Sequence, residues 1–200
     1  MHNYIPISVF KHVTKHQMSK VVIIGNYGSG KTSLLNRYVS DNFNPDVPVT
    51  IGVEFTHKEH DEETKLILWD TAGQERFQSM NTSFYHGVHA VIFVYDVSNM
   101  ESFYGLNQWM RNYRACGNMD KSVAILLGNK IDLERVVSKE DALGWAAKHK
   151  MCYEEVSAYT GENVRNAFSM IVRQLDTLPE VRENKQRLKE NLSKSDRCCY

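Results

Sequence analysis

The sequence lacks most features of a secreted or membrane-embedded protein. It has four cysteines and four prolines in 200 residues, and no run approaches the roughly 18 apolar residues of a membrane span. Histidines and lysines interrupt residues 1–20, so this stretch does not have the apolar core of a secretory signal. We therefore expect neither a transmembrane segment nor a signal peptide.

The cysteines are too few and too unevenly placed to form a framework. Cys116 and Cys152 are isolated, whereas Cys198 and Cys199 are adjacent near the end of the chain. This spacing matches neither a disulfide scaffold nor a set of metal ligands. The pattern is typical of a reduced, cytosolic protein.

The sequence also lacks excess charge of either sign. Lysine and arginine total 24, aspartate and glutamate total 24, and the formal net charge is zero. Proteins that bind nucleic acid usually present a basic face. We therefore expect no nucleic-acid partner.

The hydrophobic pattern predicts one α/β domain, for which 200 residues are sufficient. Apolar runs rich in β-branched residues alternate with amphipathic stretches, which indicates a mostly parallel sheet with helices on both faces. The predicted strands are Val21–Ile24, Lys65–Trp69, Ala90–Tyr95, Val123–Leu127 and Met151–Val156. The predicted helices are Leu34–Val39, Ser102–Arg114, Lys139–His149 and Val164–Leu175.

Two further patterns complete the predicted organisation. The stretch Val53–Asp70 surrounds a polar turn, His60–Glu63, and predicts an antiparallel hairpin that gives a six-stranded sheet one antiparallel edge strand. We divide the chain into an N-terminal extension (1–19), a domain (20–178) and a tail (179–200). The tail is polar, and we predict that it is flexible with local helix around Val181–Leu192.

A glycine-rich segment predicts a phosphate-binding loop. Gly25–Thr32 (GNYGSGKT) fits G-x-x-x-x-G-K-[ST] and joins a predicted strand to a predicted helix, as the motif requires. Backbone N–H groups and the helix N-terminus favour phosphate oxygens, Lys31 reaches the β- and γ-phosphates, and the Thr32 hydroxyl ligates Mg²⁺. The candidate nucleotide ligands here are Gly25, Asn26, Tyr27, Gly28, Ser29, Gly30, Lys31, Thr32 and Ser33.

The segment Asn129–Asp132 (NKID) follows the strand Val123–Leu127 and points to guanine. Guanine presents an N1–H and an amine side by side, and the carboxylate of Asp132 accepts from both, whereas adenine has no such donor pair. Asn129 is suited to bond the base edge, and the stem of Lys130 to lie along the ring. These residues distinguish a GTP-binding protein from the kinases and ATPases that share the phosphate loop.

The segment Asp70–Gln74 (DTAGQ) follows another strand and predicts the reaction centre. Asp70 is placed to hold Mg²⁺ through water, the Gly73 N–H to meet the γ-phosphate, and Gln74 to orient an attacking water. Thr50 supplies another Mg²⁺ ligand, so the predicted metal residues are Thr32, Thr50 and Asp70. The predicted catalytic residues are Gln74, Lys31, Thr50 and Gly73.

Together these residues resemble the small GTPases of the Ras superfamily, and specifically the Rab branch. The resemblance runs from about Lys20 to Leu178. It rests on Gly25–Thr32, Thr50–Phe55, Trp69–Phe77, Asn129–Asp132 and Glu155–Ala158. It implies a P-loop G-domain that binds GTP or GDP with Mg²⁺ and hydrolyses GTP to GDP and phosphate.

The resemblance also implies a biological role and partners. Such a switch regulates vesicle-mediated membrane traffic from the cytosolic face of intracellular membranes, with a cytosolic pool. The implied partners are a guanine nucleotide exchange factor, a GTPase-activating protein, effectors, a prenylation escort and a GDP-dissociation inhibitor. Further implied sites are Phe43, Ser157, Ala158 and Tyr159 around the guanine, and Phe55, Trp69 and Phe84 as an exposed effector surface.

The end of the chain resembles the two-cysteine signal for geranylgeranylation. Cys198 and Cys199 lie in a polar tail and do not form a C-a-a-X box. One lipid anchors a protein marginally and two anchor it stably. We therefore predict that both thiols are lipidated and tether the protein to a membrane.

Three residues depart from the family pattern. Tyr27 replaces a small residue beside the expected γ-phosphate, Tyr159 replaces a lysine that packs on the base, and Asn26 replaces an acidic residue. We expect Tyr159 to weaken nucleotide retention and Tyr27 to prolong the GTP-bound state. An alternative function is a GTP-binding scaffold whose hydrolysis is impaired by Tyr27.

Overall fold

A computed structural model of the chain describes residues 16–73, 82–116 and 119–197. The sheet consists of β1 (Gln17–Ile24), β2 (Val53–Glu59), β3 (Thr64–Thr71), β4 (Ala90–Asp96), β5 (Val123–Asn129) and β6 (Cys152–Val156). The α-helices are α1 (Lys31–Ser40), α2 (Met100–Cys116), α3 (Lys139–Lys148), α4 (Val164–Leu175) and α5 (Pro179–Arg197). Short 3₁₀ turns occupy Thr82–Tyr85 and Met119–Lys121.

The six strands form one sheet in the order β2-β3-β1-β4-β5-β6. All neighbouring pairs are parallel except β2 and β3, which form the predicted antiparallel hairpin at the sheet edge. The predicted fold class is therefore confirmed. Since β1 lies between β3 and β4, the loops that follow these strands open onto a common crevice, where α/β sheets bind their ligands.

The side chains of alternate residues of the central strand β1 point to opposite faces of the sheet and pack in two separate hydrophobic cores. Val21 and Ile23 face the cluster that α1 and α4 complete. Val22 and Ile24 face the cluster that α2 and α3 complete. Both faces of a parallel sheet are thus covered, which explains why its strands read as continuous apolar runs.

The first strand begins earlier than predicted. It starts at Gln17 rather than Val21, and Gln17 pairs with Thr64 on β3. Ser19 in this stretch is fully buried. Residues 17–19, which the sequence assigned to the N-terminal extension, therefore belong to the sheet, and residues 1–15 lie outside the described residues.

The tail also differs from its prediction. Residues 179–197 form one continuous helix, α5, which begins at a proline, a residue well suited to the first turn of a helix. Val181 is only 1% exposed. Ion pairs join Lys185 to Asp176 at 2.7 Å and Lys189 to Glu63 on the β2–β3 turn at 2.9 Å. The tail before residue 198 is therefore helical, and its first half packs against the domain.

Candidate nucleotide-binding site

The predicted phosphate loop connects β1 to α1 in a tight turn. Gly25 has φ +150°, and a Cβ there would lie 2.1 Å from the Val94 carbonyl oxygen. Gly30 has φ +86°, and its Cβ would lie 2.3 Å from Nδ2 of Asn129. Both positions therefore require glycine, because a side chain would meet atoms that cannot move away.

Lys31 lies at the base of this loop and is only 5% exposed. Its Nζ donates to the carbonyl oxygens of Gly25 at 2.8 Å and Asn26 at 3.0 Å. Burial lowers the pKa of the Lys31 ammonium to about 8, and the nearby Asp70 carboxylate opposes this shift. A buried ammonium that contacts only neutral carbonyls favours a strongly anionic ligand such as a phosphate.

The three predicted metal residues converge on one point. The Thr32 hydroxyl donates to Oδ2 of Asp70 at 2.6 Å, the Thr50 hydroxyl donates to the same oxygen at 3.2 Å, and the two hydroxyl oxygens are 3.0 Å apart. The other Asp70 oxygen, Oδ1, is buried and has no hydrogen-bond partner among the described residues. Burial raises the pKa of the Asp70 carboxyl, and the bond from Thr32 and the charge of Lys31 oppose that rise.

This donor set fits Mg²⁺. Magnesium prefers oxygen ligands, and it is usually held by one or two carboxylates together with waters and substrate phosphates. Here one carboxylate and two hydroxyls supply the protein oxygens, and the buried ammonium of Lys31 lies close to Asp70. The described residues hold no group of three or more His, Cys, Asp or Glu side chains suited to a metal.

We call the part of the site formed by Asn129–Asp132 and Ser157–Tyr159 the base side. It is organised by Asn129, which is buried. Its Nδ2 donates to the Ser29 carbonyl at 2.9 Å, and its Oδ1 accepts from the Ala158 N–H at 3.1 Å. Asn129 therefore joins the phosphate loop to the loop after β6. This holds the two loops together in addition to any contact with the base edge.

The other base-side residues are held at fixed positions. Oδ1 of Asp132 accepts a hydrogen bond from the Ser157 hydroxyl, which orients the carboxylate. Lys130 has φ +67°, and its Nζ forms an ion pair with Asp96 at 2.6 Å. Because neighbouring side chains fix their positions, the carboxylate and the lysine stem are preorganised for a planar ligand.

Two aromatic side chains form the outer walls of this region. The rings of Phe43 and Tyr159 meet edge to face, with centroids 5.2 Å apart and planes at 78°. The Tyr159 ring thus takes part in the wall where the resemblance places a lysine stem. An edge-to-face contact of this kind stabilises a pair of aromatic rings. The effect of Tyr159 on nucleotide retention stays a prediction.

One cavity of about 510 Å³ connects the phosphate and base sides. Its predicted lining residues are Tyr27, Gly28, Gly30, Lys31, Thr32, Ser33, Phe43, Thr50, Gly73, Asn129, Lys130, Asp132, Ala158 and Tyr159. The predicted residues Gly25, Ser29, Asp70 and Ser157 lie directly behind them and contact Lys31, Asn129, Thr32 and Asp132, respectively. The structure thus brings together motifs that are separated by about 100 residues in the sequence.

The side chain of Asn26 has a structural role that the sequence does not predict. It points away from the cavity toward α2, where its Oδ1 accepts from the Trp109 indole N–H at 2.9 Å. A Cβ at Gly105 would lie 2.3 Å from the same oxygen. Asn26 therefore anchors the phosphate loop to α2 through its side chain, and only its backbone faces Lys31.

The predicted reaction centre is described in part. Gly73 lies against the phosphate loop, and its carbonyl accepts from the Tyr27 N–H at 2.9 Å. A Cβ at Gly73 would lie 2.5 Å from the backbone nitrogen of Tyr27, so this close approach requires glycine. Gln74, Cys198 and Cys199 lie outside the described residues.

The predicted effector aromatics are not equally accessible. Phe55 is 63% exposed and stacks on Trp69 with ring centroids 5.6 Å apart. Phe84 is only 8% exposed, because it packs against Tyr85 at 4.3 Å within the core. The structure therefore corrects the prediction that all three rings are exposed.

Arg37 is a residue that the sequence analysis missed. Its Nε donates to the Ala158 carbonyl at 2.9 Å, and its Nη2 donates to the Tyr159 carbonyl at 2.7 Å. An arginine on a helix carries no sequence signal for backbone contacts more than 100 residues away. Only the folded chain shows that it contacts the base-side loop.

Comparisons with known proteins agree with this site. A profile described as the Ras family matches residues 20–177. "Ras-related protein Rab-18" of Lymnaea stagnalis is 42% identical over 168 residues, covering 82% of this chain and 83% of its own length. "Ras-related protein Rab7" of Cenchrus ciliaris is 42% identical over 170 residues, covering 80% of this chain and 82% of its own.

A plant relative gives the same result. "Ras-related protein RABG3f" of Arabidopsis thaliana is 41% identical over 170 residues, covering 80% of this chain and 82% of its own length. Similarity of this extent spans all the loops that form the cavity. The chain therefore belongs to the Ras family, as a Rab-like small GTPase.

Proposed function

We propose that the protein binds GTP and GDP with Mg²⁺, hydrolyses GTP, and alternates between the two nucleotide states as a switch. The observation that carries this proposal is the single cavity joining a buried lysine, the oxygens around Asp70 and the Asp132 carboxylate. A phosphate tail fits the first two features, and a guanine fits the third. The family relationship supports the same activity.

Each residue has a distinct part in this proposal. Lys31 binds the β- and γ-phosphates, and Thr32, Thr50 and Asp70 would hold Mg²⁺. The bound Mg²⁺ would neutralise charge on the phosphate oxygens. Asp132 accepts from the guanine N1–H and amine, and the Ser157–Ala158 backbone contacts the guanine O6. Phe43 and Tyr159 flank the ring.

The remaining residues act on the hydrolysis step. The Gly73 N–H contacts the γ-phosphate, and Gln74 orients the water that attacks it. The water displaces GDP, and the products are GDP and phosphate. Binding and orientation supply most of the catalysis in this reaction class, because the leaving group needs no covalent help from the protein.

We expect tight binding of GTP and GDP in the presence of Mg²⁺ and no measurable binding of ATP. Calorimetric titration of nucleotide-stripped protein with each nucleotide would measure the preference. Single-turnover hydrolysis of bound GTP would then separate a switch enzyme from a scaffold. Equal affinity for ATP would contradict the proposal, and bound GTP that is never hydrolysed would favour the scaffold.

The same proposal extends to membranes and regulators. In the part of the chain that the structure describes, none of the helices has the length and hydrophobicity needed to cross a bilayer. We propose that the lipidated tail holds the protein on the cytosolic face of intracellular membranes, with a cytosolic pool, and that it regulates vesicle traffic. The partners we propose are an exchange factor, an activating protein, effectors, a prenylation escort and a dissociation inhibitor, and family membership supports the presence of regulators and effectors in general.

Replacing both Cys198 and Cys199 with serine should make the protein soluble and leave nucleotide binding unchanged. Each buried CH₂ of a lipid contributes about 0.8 kcal/mol, so losing two chains removes stable anchoring. Intact mass and membrane fractionation of protein from a eukaryotic host would measure the effect. Cys152→Ser, at an exposed cysteine elsewhere, is the matched control. A membrane-bound fraction with unmodified mass would contradict the prediction.

A further inference from the structure

Arg37 lies on the last turns of α1 and contacts two separate segments of the chain. On one side its guanidinium donates to the carbonyls of Ala158 and Tyr159 at 2.9 and 2.7 Å. On the other side Nη1 donates to the Asp41 carbonyl at 2.9 Å. All three nitrogens of this one side chain are therefore engaged. They bond backbone oxygens of the loop after β6 and of the C-terminal end of α1, and Nη1 also lies 3.3 Å from the Asp41 carboxylate.

These two segments carry the two aromatic walls of the cavity. Tyr159 is itself a partner of Arg37, and Phe43 follows Asp41 by two residues. The two rings meet at 5.2 Å. A single guanidinium thus links the backbone of both walls, although Arg37 does not line the cavity itself.

We propose that Arg37 is a positioning residue that holds the Phe43 and Tyr159 walls together and thereby slows release of the guanine nucleotide. This inference rests on the proposed function and adds a determinant of nucleotide residence time. If the base leaves when the Tyr159 wall moves away from α1, this movement breaks the bonds from Arg37 to the Ala158 and Tyr159 carbonyls. Arg37 acts through the position of these walls rather than through contact with the nucleotide.

Peptide geometry gives Arg37 a second effect on the base-side loop. The C=O and N–H of a trans peptide point in opposite directions. Because the Ala158 carbonyl is bonded to Arg37, the N–H of the following residue, Tyr159, faces away from the guanidinium. The Ala158 N–H is directed toward Asn129. Arg37 and Asn129 together fix the orientation of the backbone that flanks the base.

Arginine is required here by its shape. The donors of its planar guanidinium point in different directions and reach acceptors both in the loop after β6 and at the end of α1. The lysine ammonium is a compact point charge. Near the end of α1 either cation interacts favourably with the helix dipole. R37K therefore keeps this charge and removes only the planar guanidinium. A lysine reaches at most one of the two segments at a time.

The test measures release of a fluorescent GDP analogue from the full chain. We expect R37K to release it about tenfold faster than the parent, equivalent to the loss of about 1.4 kcal/mol. The factor should be the same with Mg²⁺ and after chelation, because Arg37 acts on the base side. The thermal midpoint of the loaded R37K protein, measured alongside, confirms that it is folded.

A double-mutant cycle with Tyr159→Ala tests the mechanism. If Arg37 acts through this wall, R37K adds less than twofold to release once the ring is removed, because interacting sites are not additive. If the double mutant instead shows the product of the two single-mutant increases in release rate, the positioning role is overturned. An R37K factor that disappears after chelation would also overturn it, because the action would then be on the metal side.

Two variants serve as controls. Arg165→Lys makes the same change at an exposed arginine that borders a neighbouring surface cavity with Arg37. Asp41→Asn removes only the exposed carboxylate, 3.3 Å from Nη1, and keeps the carbonyl contact. Each should change release less than twofold. A parent that binds no GDP would overturn the proposed function, whereas normal binding with unchanged R37K release would overturn only this inference.

Discussion

Replacing Asp132 with asparagine should change the base preference from guanine to xanthine nucleotides. The carboxylate lines the cavity, and the Ser157 hydroxyl bonds its Oδ1 and fixes its orientation. The exocyclic amine of guanine is a donor, whereas xanthine has an acceptor oxygen at that position. An asparagine amide donates to this oxygen and leaves the guanine amine without its acceptor.

The expected change is large. Loss of a charge-assisted pair of hydrogen bonds costs roughly 3 kcal/mol, or about a hundredfold in affinity for GTP. Competition between GTP and XTP for the parent and Asp132→Asn would measure the preference. Asp120→Asn, at an exposed acid in the second 3₁₀ turn, is the matched control. An unchanged GTP/XTP ratio in Asp132→Asn would show that another residue reads the base.

Regular hydrophobic spacing explains which elements the sequence predicts well. Helix α4 has the predicted bounds, Val164–Leu175. Its apolar face is buried, and consists of Val164, Phe168, Ile171, Val172 and Leu175. The strand β4 differs from its prediction by one residue. In both elements the apolar pattern continues to the end, so the local signal and the tertiary contacts coincide.

Other boundaries depend on partners that are distant in sequence. The start of β1 is polar, yet the Gln17 N–H donates to the Glu63 carbonyl at 2.8 Å, and residues 17–20 pair with β3. Helix α5 has few apolar residues. Its contacts with the domain include the buried Val181 and the ion pair between Lys189 and Glu63, which lies on the β2–β3 turn. Local periodicity does not show these pairings.

The same distinction applies to the site. Contiguous motifs predicted the positions of Lys31, Asp70 and Asp132, because each loop follows a strand and all these strand ends meet at one edge. The side-chain direction of Asn26 depends on Trp109, which is 83 residues away. The role of Arg37 depends on carbonyl groups more than 100 residues away. Every residue type has a backbone carbonyl, so residue types alone do not show which carbonyls a distant arginine will bond.

Tyr27 stands where the phosphate loop meets the segment around Gly73. Its N–H donates to the Gly73 carbonyl, and its side chain is 61% exposed at the rim of the nucleotide cavity. It also borders a second cavity of about 460 Å³, which reaches Glu101 and Gln108 on α2. Tyr27 therefore stands between the nucleotide cavity and this second cavity.

Replacing Tyr27 with serine should raise the activator-stimulated rate of GTP hydrolysis by up to about a hundredfold. In this reaction class an arginine supplied by the activating protein contributes about 10³–10⁵ in rate. That arginine and Gln74 must fit beside the phosphate loop, and a displacement of about 1 Å costs about a hundredfold. The ring at Tyr27 limits this space, so the parent should stay in its GTP-bound state longer than the Ser variant.

Single-turnover rates at saturating Mg²⁺, with and without an activating protein, measure this effect. Tyr104→Ser is the control, because Tyr104 is equally exposed but lies on α2 and does not line the nucleotide cavity. Removing the ring should change intrinsic hydrolysis much less than stimulated hydrolysis, since only the latter needs room for an incoming arginine. A stimulated rate in Tyr27→Ser no higher than in the parent would show that the ring turns outward, leaving the path of the arginine open.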